Sequence, residues 1–458
     1  MRRTVVLIVV GLTADHLGDA TPNLRALAKA GGVRPLKPIL PAVTCSMQST
    51  FATGLPPREH GAVANGWYFR DLSEIWLWRQ SDRLVAGEKI WEAGARRDPA
   101  FTCAKLFWWY NMYSEVAYAV TPRPAYPADG RKIPDIYTQP AALREELVAR
   151  LGPFPLFNFW GPGADIASTG WIAGCARHVY EARRPTLCLV YLPHLDYNLQ
   201  RLGPRDPRIA RDLAAVDAAA GELIEHVQKD GARVVVLSEY GITGVSGPVH
   251  INRALREARL IQVRTELGLE MLDAGACEAF AVADHQVAHV YVRRPERVPE
   301  VKRLIESLPG VDLVLDEAGK HAHGLDHARS GELVALAKAD RWFTYYYWLD
   351  DRVAPDFARS VDIHRKPGYD PVELFLDPAL RMPKLKIGGI LLKKALGFRY
   401  LMDVIPLDAT LVKGSHGLVG SDPRDSPLLI TSEPSLLPDG EVHATDVKGL
   451  ILEHVFGR

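Results

Sequence analysis

The sequence predicts an α/β protein: a doubly wound, largely parallel sheet with an inserted cap subdomain. Residues 4–10, 187–192 and 234–237 are continuous apolar, β-branched runs rather than alternating ones, the pattern of strands covered on both faces. Segments of helical periodicity separate these runs, as in strand–helix–strand units. Between the first two lies a stretch, residues 67–109, that holds six of the ten tryptophans and reads as an insertion.

The chain has 458 residues, 47% of them hydrophobic and 24% charged, a composition that excludes wholesale disorder. Lys+Arg and Asp+Glu both number 55, so nothing in the net charge favours a nucleic-acid-binding protein. Cys45, Cys103, Cys175, Cys188 and Cys277 are scattered and odd in number, which fits a reducing compartment rather than a disulfide framework. Met1-Arg2-Arg3 and the apolar run behind it resemble a short signal peptide, but no small-residue cleavage site follows and Asp15 and His16 come almost at once. No apolar stretch reaches the ~18–20 residues that span a bilayer. The expectation is a cytoplasmic protein.

The first strand is followed by a helix with Thr21 as N-cap and Pro22 at the first helical position, ending at Gly31-Gly32. Pro41 breaks the chain again, and residues 45–52 read as a short helix closed by Gly54, which puts Thr44 at a helix N-terminus. There a hydroxyl can attack phosphorus while exposed N–H groups hold phosphate oxygens; it can equally be a plain N-cap. The tryptophans Trp67, Trp76, Trp78, Trp91, Trp108 and Trp109 either pack an inserted subdomain or wall a substrate site. Breaks at Gly152-Pro153 and Gly161-Pro162-Gly163 mark the return to the core. The expected organisation is one domain, 1–458, with an insert at about 67–165 and a smaller subdomain at about 261–345.

Ligands of open α/β sheets sit beyond the carboxyl ends of the strands, and three such ends here carry polar groups. They are Thr13-Ala14-Asp15, His194-Leu195-Asp196 and Ser238-Glu239-Tyr240. Paired carboxylates at neighbouring strand ends can hold a cation or cap the next helices. Near the C-terminus, residues 381–399 mix five lysines and arginines beyond Arg381 with leucines and isoleucines. Such a segment lies on an anionic membrane surface or packs its apolar side on its own core. The sequence has no G-x-S-x-G elbow, Walker A loop, H-E-x-x-H or G-x-G-x-x-G after a strand.

Taken in order, these pieces resemble the type I phosphodiesterase/nucleotide pyrophosphatase branch of the alkaline phosphatase superfamily. The matching pieces are the opening strand, Thr21-Pro22-Asn23-Leu24, Pro41-Ala42-Val43-Thr44, Thr53-Gly54-Leu55-Pro56-Pro57 with His60-Gly61, Asn65-Gly66, Asp196, Ser238-Glu239-Tyr240-Gly241 and Gly414-Ser415-His416-Gly417. The resemblance implies an alkaline phosphatase-like core, a phosphorylated small-molecule substrate and two divalent metals, usually zinc. By position it makes Thr44 the nucleophile, Asn65 the amide that holds a phosphoryl oxygen, and Asp196 and His416 ligands of the metal facing the incoming water.

The departures from that pattern are chemical. An aspartate ligand is expected where Val10 stands, a histidine where Gln200 stands, and an Asp-His pair where Glu239-Tyr240 stands. Ligands borrowed from elsewhere are sought at His250, at His285 beside Asp284, and at His364 beside Asp362. The expectation is a metal-dependent phosphoric-ester hydrolase with a threonine nucleophile. It would hold one divalent ion (Zn²⁺, Mn²⁺ or Mg²⁺) on Asp196, His416 and Glu239, with Gln200 or Tyr240 as further candidates. The alternatives are a degenerate, non-hydrolytic member that binds a phosphorylated metabolite or pathway partner, and an enzyme acting on a phosphorylated lipid at a membrane surface through 381–399.

Overall fold

Thr4–Val9 reads TVVLIV, and every one of its side chains is buried, so the strand can only lie inside a sheet covered on both faces. The computed structural model, which describes residues 1–128, 130–420, 422 and 424–457, places it at the centre of a nine-stranded sheet. Across that sheet the strands run Val442–His443, Gly32–Lys37, Leu428–Thr431, Arg233–Leu237, Thr4–Val9, Leu187–Leu192, Cys103–Leu106, Tyr118–Pro122 and Ile136–Gln139. The central ladders, from Arg233–Leu237 to Tyr118–Pro122, are all parallel. Leu428–Thr431 and Ile136–Gln139 pair antiparallel on either side of that block. Pro22–Ala30, Ile166–Arg183 and Ile209–Lys229 pack together as one helical group; Thr44–Thr53, Ile90–Arg97 and Val447–Phe456 form another.

Register sets the site. Val9 pairs with Leu192 and Ile8 with Leu237, so the segments that begin at Val10, Pro193 and Ser238 leave the sheet side by side.

Several local expectations shift. Thr21 precedes Pro22–Ala30 but makes no cap bond; its hydroxyl donates to the His16 carbonyl at 2.6 Å and ties back the entering loop. The stretch expected as an insert, 67–165, supplies Cys103–Leu106, Tyr118–Pro122 and Ile136–Gln139 to the central sheet itself. Lys105 hides the first of these strands in the sequence. Its ammonium is buried, 3.5 Å from Asp82 and 2.6 Å from the Tyr110 carbonyl, over the Trp91 ring. Trp67, Trp91 and Trp108 are core residues, whereas Trp78 and Trp109 are only half-buried and tilt against each other at 4.8 Å.

A second, antiparallel sheet takes the order Ala279–Asp284, Val287–Val292, Leu333–Ala337, Val311–Leu315, with its own core around Phe280, Tyr291, Trp342, Tyr345 and Trp348. Its first hairpin turns through His285 and Gln286, and His285 takes a left-handed φ of 59°. A non-glycine residue there stores strain that the surrounding contacts must offset. Next to this turn, the chain from Lys366 to Glu373 is locked by buried charge. Lys366 Nζ lies 2.7 Å from both Asp370 and Glu373, and Trp160 donates to Glu373 at 2.6 Å. That clamp fixes Tyr369.

Removing the cation from this clamp leaves two carboxylates buried without a counter-charge. Lys366→Met should therefore cost about 3–5 kcal/mol in urea unfolding; a loss below about 1 kcal/mol would show that the clamp does not hold this segment.

Candidate active site

Thr44–Thr53 is buried along its whole length and is closed by Gly54, whose φ of 73° suits glycine. The N-cap is Val43, in extended conformation, so Thr44 is the first helical residue and not the cap. Its hydroxyl is free of the usual capping role and shares a hydrogen bond with the Tyr240 hydroxyl at 3.1 Å. The next amide, of Cys45, donates to Asn65 Oδ1 at 2.9 Å, which brings Asn65 beside the threonine as expected. Asp284 secures Asn65 by accepting from its backbone N–H at 2.7 Å and its side-chain amide at 3.0 Å. One helical turn after Thr44, Gln48 donates to Glu239 Oε1 at 2.6 Å and accepts from the Trp109 N–H at 2.7 Å. Gln48 escaped the sequence reading, although its i+4 spacing from Thr44 places both on one helix face.

The expected metal ligands are brought to this same strand edge, but they are engaged with one another. Asp196, on His194–Leu202, accepts from Gln200 Nε2 at 2.7 Å, and the Tyr240 hydroxyl reaches its other oxygen at 3.5 Å. Gln200 in turn accepts from the Tyr369 hydroxyl at 3.0 Å. His416 Nδ1 donates to the Ala42 carbonyl at 2.8 Å, and His285 Nδ1 meets Asp284 at 2.7 Å.

Four rings then stack in sequence. Tyr240 lies flat on His416 at 3.5 Å and 6°, His416 meets His285 at 3.7 Å with a 37° tilt, and His285 stacks on Tyr369 at 3.6 Å and 22°. Glu239 Oε2, His285 Nε2 and His416 Nε2 remain buried without a partner. Among the described residues, however, no three His, Cys, Asp or Glu side chains are placed to share an ion. Val10, fully buried, offers no donor where the pattern expects a carboxylate. The donor set therefore does not fit the family's metal pair, nor a single ion on Asp196, His416 and Glu239. Where the pattern expects a second imidazole, Tyr240 instead lays its phenol ring on His416.

Two other candidates have partners of their own. His250 Nδ1 is 2.7 Å from the Thr344 hydroxyl and faces a separate cavity of about 430 Å³ with Arg253 and Arg359. His364 bonds to the Leu77 carbonyl at 3.4 Å.

Burial governs protonation here. It raises the Asp196 carboxyl to about 7 and that of Asp284 to about 6, with Gln200 and Asn65 respectively working against the shift. It pushes Glu239 well above the carboxylate range and the Tyr240 phenol well above its own, and it holds His285 and His416 well below the usual imidazole value. At neutral pH the stack is thus made of neutral rings.

An acid raised in this way stabilises the fold below the ordinary carboxylate range, and that contribution is lost as pH climbs through about 7 for Asp196. Asp196→Asn keeps an acceptor for Gln200 without a charge. It should raise the thermal midpoint over the parent at about pH 8, with the gain shrinking toward about pH 5. A lowered midpoint at high pH would instead mean that a cation compensates the ionised carboxylate.

Residues 4–370 match the type I phosphodiesterase/nucleotide pyrophosphatase family. A pyrophosphatase/phosphodiesterase of Schizosaccharomyces pombe is 27% identical over 259 residues, covering 53% of this chain and 45% of that protein. This chain thus matches under half the length of that relative. Phosphonoacetate hydrolase from Sinorhizobium meliloti 1021, in complex with phosphonoformate, superposes with a TM-score of 0.63 at 15% identity, covering 99% of this chain and 96% of its own. Murine ectonucleotide pyrophosphatase/phosphodiesterase 5, an inactive variant in complex with AMP, gives 0.59 at 14% identity, covering 99% and 95%. At such identities the two structures establish the shared α/β fold.

Proposed function

Since this chain belongs to the type I phosphodiesterase/nucleotide pyrophosphatase family, we propose that it acts on a phosphoric ester of a small molecule, with Thr44 as the nucleophile. The observation that carries this reading is the Thr44 hydroxyl: it stands on the first helical residue, bonded to Tyr240, with the adjacent amide held by Asn65. First-turn amides have no acceptor within their own helix and suit the oxygens of a phosphoryl group. Asn65 keeps one amide hydrogen beyond its bond to Asp284 for the same purpose.

Attack forms the Thr44 Oγ1–phosphorus bond and breaks the bond from phosphorus to the leaving oxygen. The hydroxyl proton passes to Tyr240, which is aligned to hand its own proton toward Asp196. Water then attacks phosphorus as the Thr44 Oγ1–phosphorus bond breaks, giving up a proton, and Tyr240 returns a proton to Oγ1 to restore the hydroxyl. Preference for diesters over monoesters rests on the family branch, and the relatives' ligands, AMP and phosphonoformate, support a phosphorylated or phosphonate-like substrate.

The specific observation in favour of a non-hydrolytic member is the four-ring stack, together with the 3% exposure of Thr44. It describes a closed site that binds a phosphorylated ligand only when the rings part.

One experiment separates the two. Wild type, Thr44→Ala and Thr44→Ser are assayed on panels of phosphomonoesters and phosphodiesters, with ligand-induced shifts of the thermal midpoint recorded in parallel. Catalysis at Thr44 predicts turnover in wild type, a loss of at least about 10³-fold in Thr44→Ala, and partial retention in Thr44→Ser. The alanine variant should unfold within about 1–2 kcal/mol of wild type, the cost of one buried hydrogen bond. Full turnover in Thr44→Ala removes the nucleophile assignment. Absent turnover in wild type, with a midpoint shift by phosphorylated ligands, establishes the non-hydrolytic reading.

A further inference from the structure

Residues 378–402 carry six basic side chains and no Asp or Glu in a chain whose overall charge is zero. Most of that excess sits on or beside the helix Pro383–Ala395, which contains no buried residue. The helix is attached in a definite orientation. Lys386 Nζ donates to the Asp403 carboxylate at 2.9 Å and to the Asp403 carbonyl at 2.6 Å, while the Asp377 N–H donates to the Val404 carbonyl at 2.8 Å. Leu380, Ile387 and Met402 rest against the core of the second sheet.

At about 100° per residue, Leu385, Leu392 and Leu396 fall within about 40° of one another, and Ile387 lies on roughly the opposite side. The leucine stripe therefore points away from the protein. Leu385 is 67%, Leu392 60% and Leu396 65% exposed, and Phe398 just beyond the helix is 64% exposed. Lys384 and Lys393 flank the stripe on its two sides, and Lys394 stands over the Tyr400 ring at 5.6 Å. Large apolar side chains standing out together and rimmed by cations mark a surface built to be covered.

We propose that this helix and the turn through Tyr400 dock the protein on a bilayer surface rich in anionic lipid. The arrangement of charge selects that occupant. Leucines and Phe398 enter the boundary between headgroups and acyl chains, while the flanking lysines and arginines stay level with lipid phosphates and carboxylates. A second copy of this chain would bring the same basic face against itself. Nucleic acid would satisfy the cations and leave the leucines exposed to water. Among the described residues no helix is long and apolar enough to cross a membrane, so the contact is peripheral. The proposal is independent of the chemistry at Thr44: it places the protein at a surface whichever reading of that site holds.

The full chain should cosediment with vesicles of phosphatidylcholine containing about one-third phosphatidylserine, and not with phosphatidylcholine alone; the binding should weaken as salt is raised. Two variants separate the contributions: Leu385→Ser/Leu392→Ser/Leu396→Ser removes the stripe, and Lys384→Glu/Lys393→Glu reverses the flanks. All five side chains are exposed, so each variant should unfold at the wild-type midpoint while losing at least about tenfold in vesicle partitioning. Equal binding to both vesicle types, no binding to either, or full binding by the leucine variant overturns the proposal. A wild-type dimer that the leucine variant dissolves overturns it in favour of a second copy, and binding to duplex DNA that survives the leucine variant overturns it in favour of nucleic acid.

Discussion

Tyr240 stands at the junction on which the candidate site depends. Its ring covers one face of His416 at 3.5 Å, and its hydroxyl bonds to Thr44 at 3.1 Å while reaching toward Asp196 at 3.5 Å. An imidazole at this position would offer a lone pair to an ion; a phenol offers a flat apolar face and a hydroxyl whose pKa burial has pushed far up. With Val10 closing the neighbouring strand end, the site is organised by ring stacking and side-chain hydrogen bonds. The pairing around Asp196 follows: a buried carboxylate without a cation needs donors, and Gln200 and Tyr240 supply them, with Tyr369 donating in turn to Gln200.

The scaffold keeps this arrangement in place from three directions. Parallel register aligns the ends of the strands that lead to Val10, Asp196 and Tyr240. The second sheet contributes Asp284 and His285 through a strained hairpin turn, and Asp284 reaches across to fix Asn65. The buried Lys366 clamp delivers Tyr369 to the far end of the stack. Strain at His285 and buried charge at Lys366 both cost stability locally, and both converge on the same four rings.

Much of the fold was legible in the sequence because both-face burial leaves a strong mark: the runs at 4–9, 187–192 and 233–237 contain almost nothing but apolar residues. Cys103–Leu106 was not legible, because its four residues include a lysine whose buried partners come from separate loops. At the site, the order of short motifs located Thr44, Asn65, Asp196, Glu239, Tyr240 and His416 at one sheet edge. What it could not convey was how those side chains pair. Thr44 read as an N-cap because caps and first helical residues differ by a single position, and only the extended Val43 separates the two. His250, His285 and His364 were equivalent as residue types. Only tertiary contact distinguishes His285, inside the stack, from His250 on another cavity.

Among the described residues Asp196, Glu239 and His416 do not converge on one ion, and Tyr240 stacks on His416 instead. Elemental analysis of the chain purified gently from metal-replete medium tests this most directly, with His416→Ala as the control. The account predicts no stoichiometric Zn²⁺, Mn²⁺ or Mg²⁺ in either protein. One or two tightly held ions per chain, lost on replacing His416, would contradict it and restore a metal to the chemistry at Thr44.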